Sequence, residues 1–305
     1  MAKKIRSAAV VKPASTMGSL GQRIDDYKQL VKFRLNLTVV FSAVMAFLIT
    51  STASVNWVGV VVLALAGFLV TGAANALNQV LEKDYDRQME RTANRPIAAG
   101  RMTTSEGVMA AGFMSLVGIT LLALFNPLAS LLGMISMILY AFVYTPMKRV
   151  SPAAVWIGAL PGALPMLIGC VALEGRLSAL ALTLFGIQFL WQFPHFWAIG
   201  WLAHEDYTGA GFRLLPTTPS GERDPYVGLH AMVFSLALIP VGCLPYFLGW
   251  CDGRSAVALA LLAVGFAWFG WNLYQKNTRA AALQLMFSSL FYLPSALFIL
   301  LATKI

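Results

Sequence analysis

The residues best able to do chemistry fall in two stretches of the sequence. The first reads NALNQVLEKDYDRQMERTANRP, residues 75–96. On a helix turning about 100° per residue, Asn75, Asn78, Glu82 and Asp86 share one face within about 80°, and Asp84 lies opposite. An amide and two carboxylates, each one turn further on, supply oxygen ligands for a hard cation. Mg2+ is commonly held by one or two carboxylates together with substrate phosphates and retained water. Arg87, Arg91 and Arg95 follow at once, and guanidinium forks suit phosphate or carboxylate groups. Acids followed by arginines are what a metal-bridged diphosphate requires. The plainer alternative is a solvated loop whose acids pair with neighbouring arginines. Against it, the polar stripe continues through Asn78 and Asn75 into an apolar helix, where polar groups are costly.

The second stretch reads QFLWQFPHFWAIGWLAHEDYTGAGFRLLP, residues 188–216. Gln188, Gln192 and His195 share a helix face, and Asp206 returns to that face if the helix persists. Pro194 removes a backbone donor and is expected to kink the helix, freeing a carbonyl. Trp191, Phe196, Trp197 and Trp201 make the surroundings aromatic. A buried histidine often serves only as a helix–helix hydrogen bond. Two glutamines on its face and the adjacent proline favour a functional role. Asp206 is the best second-site carboxylate, and Gly209 and Gly211 permit tight turns after it.

Both stretches must be positioned by the rest of the chain, which is unusually apolar. Of 305 residues, 58% are hydrophobic and only 11% are charged, less than half the charged share of ordinary globular proteins. That excludes a soluble enzyme, a disordered chain and a secreted disulfide scaffold. The cysteines Cys170, Cys243 and Cys251 have neither metal-ligand nor redox-pair spacing. Nine apolar segments are long enough to cross a bilayer: 35–53, 56–80, 107–125, 127–145, 152–172, 178–201, 227–247, 255–275 and 281–302. Each must be helical, because lipid offers no partner for unpaired backbone groups. The expected fold is therefore an all-α bundle of nine transmembrane helices.

Charge sets its direction. With the N-terminus cytoplasmic and the C-terminus outside, 19 of the 22 Lys and Arg residues lie on the inner side, leaving only Arg176, Arg254 and Lys304. The +9 net charge then reads as topology and anion sites, with no need of nucleic acid. Residues 1–34 form a basic cytoplasmic tail and interfacial segment, and 35–305 a single domain. No apolar core follows the basic start, so no cleaved signal peptide is expected. A basic tail is favoured over an organellar transit peptide. The two acid-bearing inner loops follow the second and sixth segments, so one cavity between them is expected, with a metal–diphosphate floor, aromatic walls and a flank open to the bilayer.

The stretch Asn78 to Pro96 resembles the first acidic motif of the UbiA-type intramembrane prenyltransferases, written N-D-x-x-D-x-x-x-D in many members. Its tail, Met89 to Pro96, is similar to the protohaem IX farnesyltransferases (haem O synthases) within that superfamily. So are Trp191-Gln192-Phe193-Pro194-His195-Phe196-Trp197 with Asp206-Tyr207 and Leu215-Pro216, and Tyr144 to Arg149 with the Gly/Pro-rich helix Gly158 to Gly169. The resemblance spans about residues 30 to 220, and the last three helices match only in kind. It implies transfer of farnesyl from farnesyl diphosphate to a vinyl group of haem B, with water completing the addition. It further implies Mg2+ on Asn78, Glu82 and Asp86, with Asp206 in a second motif. Two departures stand out. Glu82 replaces an aspartate, and Leu202 stands where a second-motif aspartate is expected, which puts metal binding there in doubt.

On this reading, the catalytic set is Asn78, Glu82, Asp86, His195 and Asp206. Arg87, Arg91, Arg95, Lys148, Gln192, Trp197 and Tyr144 contact diphosphate, propionate or hydrocarbon. His195 either positions the haem or accepts a proton from the water that adds. The compartment is a bacterial inner membrane, and the recipients of product are a haem A synthesis enzyme or terminal oxidase assembly. Two other readings stay open: a prenyltransferase for a phenolic or quinone precursor, and a secondary transporter using the proline-broken helix.

Overall fold

The computed structural model describes residues 19–52 and 54–305. Lys3, Lys4, Arg6 and Lys12 of the expected basic tail lie outside the described residues. A short amphipathic helix, α1 (Leu20–Leu30), precedes the bundle. The bundle comprises α2 (Phe33–Thr50), α3 (Trp57–Asp86), α4 (Thr104–Ala123), α5 (Pro127–Ile138) and α7 (Ala154–Glu174), then α8 (Ala179–Leu202), α10 (Val227–Phe247), α11 (Gly253–Lys276) and α12 (Arg279–Thr303). A π-helical turn, Leu139–Tyr144, carries α5 into α6 (Thr145–Met147), and α9 (His204–Gly209) is a single surface turn. Among the described residues there is no strand, only two isolated bridges.

Eight of these helices are long and apolar enough to cross a membrane: α2, α3, α4, the continuous Pro127–Met147 helix, α7, α10, α11 and α12. The protein is an integral, multi-pass membrane protein. Helix α8 has 24 residues, which is length enough. Its Gln188, Gln192, Pro194 and His195 dilute its apolar character.

Six of the nine long helices start on a side chain that accepts an orphan amide of the first turn, whereas α2, α7 and α10 have no such cap. Asn56, Asn126, Ser178, Asp252 and Thr278 do this for α3, α5, α8, α11 and α12. Thr103 and Glu106 form a reciprocal capping box at α4. The apolar run ends near residue 80, yet α3 continues to Asp86. That continuation keeps Asn78, Glu82 and Asp86 on one rigid face.

Helix α7 is the most buried span and packs between α2 and α8. Small residues allow the approach: a Cβ on Gly169 would strike the Ala43 carbonyl, and one on Gly162 would strike Gln192 Oε1. Helices α10 and α11 cross through Gly228 against the Tyr274 backbone and Gly270 against the Met232 backbone. Large apolar side chains such as Met109, Phe113, Leu116, Leu261, Trp268, Phe287 and Phe291 face outward, as lipid-facing surface does.

Candidate active site

Helix α3 builds the centre. Asn78, Glu82 and Asp86 are all buried, with Asp86 at 0% exposure. Burying two carboxylates is tolerable only if each is paired, and each is. Lys148 Nζ lies 2.5 Å from Glu82 Oε1. Asp86 is gripped by Arg95, whose Nη1 sits 2.8 Å from both of its oxygens. Asn78 joins the set: its Oδ1 accepts from Lys32 Nζ at 2.8 Å, and its Nδ2 donates to Glu82 Oε2 at 2.8 Å and to Thr145 Oγ1 at 3.1 Å. Two acids and one amide therefore face three side-chain cations.

The cations are drawn from three other parts of the chain. Lys32 sits in the α1–α2 turn with φ 49°, a left-handed conformation that costs a non-glycine residue energy. The turn is held by α3 amides: Gln79 donates to the Gln29 and Leu30 carbonyls, and Asn75 to the Val31 carbonyl. Asn75, on the same face as the acids, thus serves to aim Lys32. Lys148 follows α6, its ammonium 5.0 Å from the Tyr144 ring centre and 5.5 Å from that of Phe212. Burial lowers the Lys148 pKa, and Glu82 only partly offsets it. Lys32 is lowered by burial and then by the neighbouring Arg95 and Lys148 charges. Lysines destabilised in this way gain from an incoming anion.

The other arginines of the first stretch do different work. Arg87 donates to the Ala98 carbonyl and pairs with the exposed Asp84. Arg91 donates to the Tyr207 hydroxyl at 2.6 Å and lies over its ring. That contact ties the two long loops together, as does Met89 packing with Ala210 and Phe212, while the Arg213 amide donating to the Lys148 carbonyl fastens the second loop to the end of α6. Asp206 is exposed on α9. It lies near enough to Arg91 to favour that residue's charged form.

In α8, Gln188 donates to the Gly162 carbonyl, and Gln192 to the carbonyls of Ala159 and Gln188. These amides fasten α8 to α7. Trp197 is buried against Phe193 and Phe234. His195 turns instead to α12, its Nδ1 2.7 Å from Ser289 Oγ, and its ring stacks on Trp191 at 5.0 Å. His195 lies seven residues before the end of α8, about 10 Å along the axis. Asn78 lies eight residues before the end of α3, about 12 Å. No hydrogen bond joins the His195 group to the acids among the described residues.

The donor set suits a hard divalent cation. It holds two carboxylates and an amide oxygen, and Glu82 Oε1 makes no well-formed hydrogen bond despite its contact with Lys148. Three or more His, Cys, Asp or Glu do not cluster anywhere among the described residues. A metal here would therefore need further oxygens from substrate or water, as Mg2+ at phosphate sites does. The arrangement can neutralise a diphosphate from two sides.

The profile of the UbiA prenyltransferase family matches residues 39–293. The chain belongs to that family. A protoheme IX farnesyltransferase from Cytophaga hutchinsonii is 40% identical over 276 residues, covering 90% of this chain and 96% of the relative. One from Flavobacterium psychrophilum is 38% identical, covering 92% and 94%. The fold is shared with solved UbiA-type membrane structures. Digeranylgeranylglyceryl phosphate synthase superposes with a TM-score of 0.76 at 16% identity, over 92% of this chain and 98% of that one. A UbiA homologue from Archaeoglobus fulgidus bound to GPP and Mg2+ gives 0.67 at 13% identity, over 91% and 100%.

Lys32, Tyr140 and Thr145 are members of the site that sequence reasoning missed. Tyr140 lies within 3.5 Å of Lys32 Nζ and 3.4 Å of Asn75 Oδ1. Lys32 carries one legible signal, as a basic residue at the threshold of the first apolar run. Tyr140 sits in an apolar helix with no local mark, whereas Thr145 falls within the Tyr144 to Arg149 stretch that carried only a resemblance.

Proposed function

We propose that this protein transfers the farnesyl group of farnesyl diphosphate to a vinyl group of haem B, giving haem O. The observation that carries the reading is the pair of buried carboxylates on α3, each balanced by a cation from another element. Such a site has charge to offer an anion and oxygens to offer a metal. The named relatives supply the substrates.

Mg2+, held by Asn78, Glu82 and Asp86 with substrate oxygens, would supply Lewis-acid stabilisation of the departing diphosphate. The remaining roles belong to the chain. Lys32, Lys148 and Arg95 exchange their α3 partners for diphosphate oxygens and stabilise the leaving charge. Tyr144 and Phe212, flanking Lys148, keep water from the allylic carbon until it has reacted. Arg91, on Tyr207, holds the second loop over the site. Asp206 adds a negative charge beside Arg91 and directs its guanidinium. Arg87 braces the loop through Ala98. Helix α8 crosses the membrane as the ninth span, with the N-terminus cytoplasmic. The membrane is a bacterial plasma membrane, and a haem-modifying enzyme or oxidase assembly receives the product.

The test is incubation of purified protein with haem B, farnesyl diphosphate and Mg2+, followed by mass spectrometry of the haem. A farnesylated, hydrated haem is expected. Conversion of a phenolic acceptor with haem unchanged would overturn the assignment.

A further inference from the structure

We infer that His195 presents an unprotonated Nε2 as the ligand to the iron of haem B, with Ser289 as the positioning residue that sets its tautomer. The inference rests on the farnesyl-transfer reading, which provides the haem. It adds how the haem is held.

A serine hydroxyl has a single proton to donate. Ser289 Oγ lies 2.5 Å from the Met286 carbonyl, and a carbonyl can only accept, so the Ser289 proton is committed there. The 2.7 Å contact between Ser289 Oγ and His195 Nδ1 therefore needs its proton from the histidine. With Nδ1 protonated, neutral imidazole carries its lone pair on Nε2. Nε2 has no hydrogen-bond partner among the described residues.

The ring is also fixed in direction. Trp191, one turn earlier on α8, stacks on it at an interplanar angle of 15°, and the Trp191 Nε1 donates to the Ser289 backbone carbonyl at 2.7 Å. One fully buried residue on α12 thus anchors both rings. The Phe196 ring lies 5.7 Å away, tilted by 50°. A histidine with Nδ1–H fixed by an oxygen and Nε2 free is the arrangement by which proteins orient imidazole toward a metal. The same tautomer also suits a general base, and the presence or loss of an iron–imidazole bond separates the two roles. The iron of the acceptor is the metal that the proposed reaction brings.

The test uses the full-length protein in lipid nanodiscs with ferrous haem B, read by resonance Raman for the iron–imidazole stretch and by product formation. Wild type should show the band. His195→Gly should lose it, and added imidazole should restore both band and turnover. Ser289→Ala should keep the band at a shifted frequency and weaken haem binding by roughly tenfold or more. Iron-free protoporphyrin IX should bind wild type and His195→Gly alike, which also reports that the variant is folded. An unchanged band in His195→Gly, with wild type still making product, overturns the iron assignment and leaves the activity standing. Loss of turnover in His195→Gly without loss of the band also overturns it, in favour of a proton-transfer role. If wild type neither binds haem nor modifies it, the activity fails and the inference falls with it.

Discussion

Replacing Asp86 by asparagine separates pairing from catalysis. At 2.8 Å and an effective dielectric of about 20, two unit charges attract by about 6 kcal/mol, most of which repays their desolvation. Breaking a buried pair typically costs about 3–5 kcal/mol. Arg95 keeps 22% of its side chain exposed, so water relieves part of the loss, and about 2–3 kcal/mol is expected. Arg95→Gln should cost at least as much, because it leaves the fully buried Asp86 carboxylate without its side-chain hydrogen-bond partner. The double variant should be less destabilised than the sum of the two by about 1–2 kcal/mol, as directly contacting partners are. Turnover should behave differently. Asp86→Asn should lose about a hundredfold or more in both backgrounds, the scale for removing a group that stabilises developing charge. Arg95→Gln alone should retain measurable activity. The assays are denaturation of the detergent-solubilised protein and farnesylated-haem formation across a Mg2+ titration. Near-normal Mg2+-dependent turnover by Asp86→Asn would refute the metal-ligand assignment, and strict additivity of the stability changes would refute the pairing.

Three further outcomes are expected. Gly162→Ala should lower thermal stability by about 1–3 kcal/mol, because its Cβ strikes Gln192 Oε1; a melting curve identical to wild type would remove that contact from the account. Tyr207→Phe deletes the acceptor of the 2.6 Å bond from Arg91. It should raise amide hydrogen exchange at residues 204–213 while the spans stay protected, and unchanged exchange would show that the loops are held otherwise. Lys304→Ala removes donors to the Leu48 and Ser51 carbonyls at the end of α2. It should cost about 1 kcal/mol in chemical unfolding, with no change in the Mg2+ dependence of turnover.

The α3 face was legible because helical periodicity is local: Asn78, Glu82 and Asp86 needed only their spacing, and Asp84 turned out exposed as that spacing required. The separate tasks of Arg87, Arg91 and Arg95 were not legible. Sequence places all three beside the acids, whereas partner choice depends on Ala98, Tyr207 and the depth of Asp86. Lys32 is 46 residues from Asn78, and its aim depends on a left-handed turn braced by α3 amides. Gln192 shows the same limit. Its face was readable, but its bond to the Ala159 carbonyl depends on how closely Gly162 lets α8 approach. Most helix starts followed local capping chemistry, and the ends lay within a few residues of the apolar runs, except at α3, whose polar last turns look like loop.

The three cations facing two carboxylates also bear on how the site empties. A pocket lined only by bare lysines and arginines would hold inorganic diphosphate too tightly to turn over, since each departing oxygen would leave an uncompensated buried charge. Here every cation has an α3 oxygen to return to: Lys32 to Asn78, Lys148 to Glu82 and Arg95 to Asp86. In the proposed reaction, product release would then be an exchange of partners rather than a stripping of them, and the same contacts that welcome the substrate would set a ceiling on the residence time of what it leaves behind.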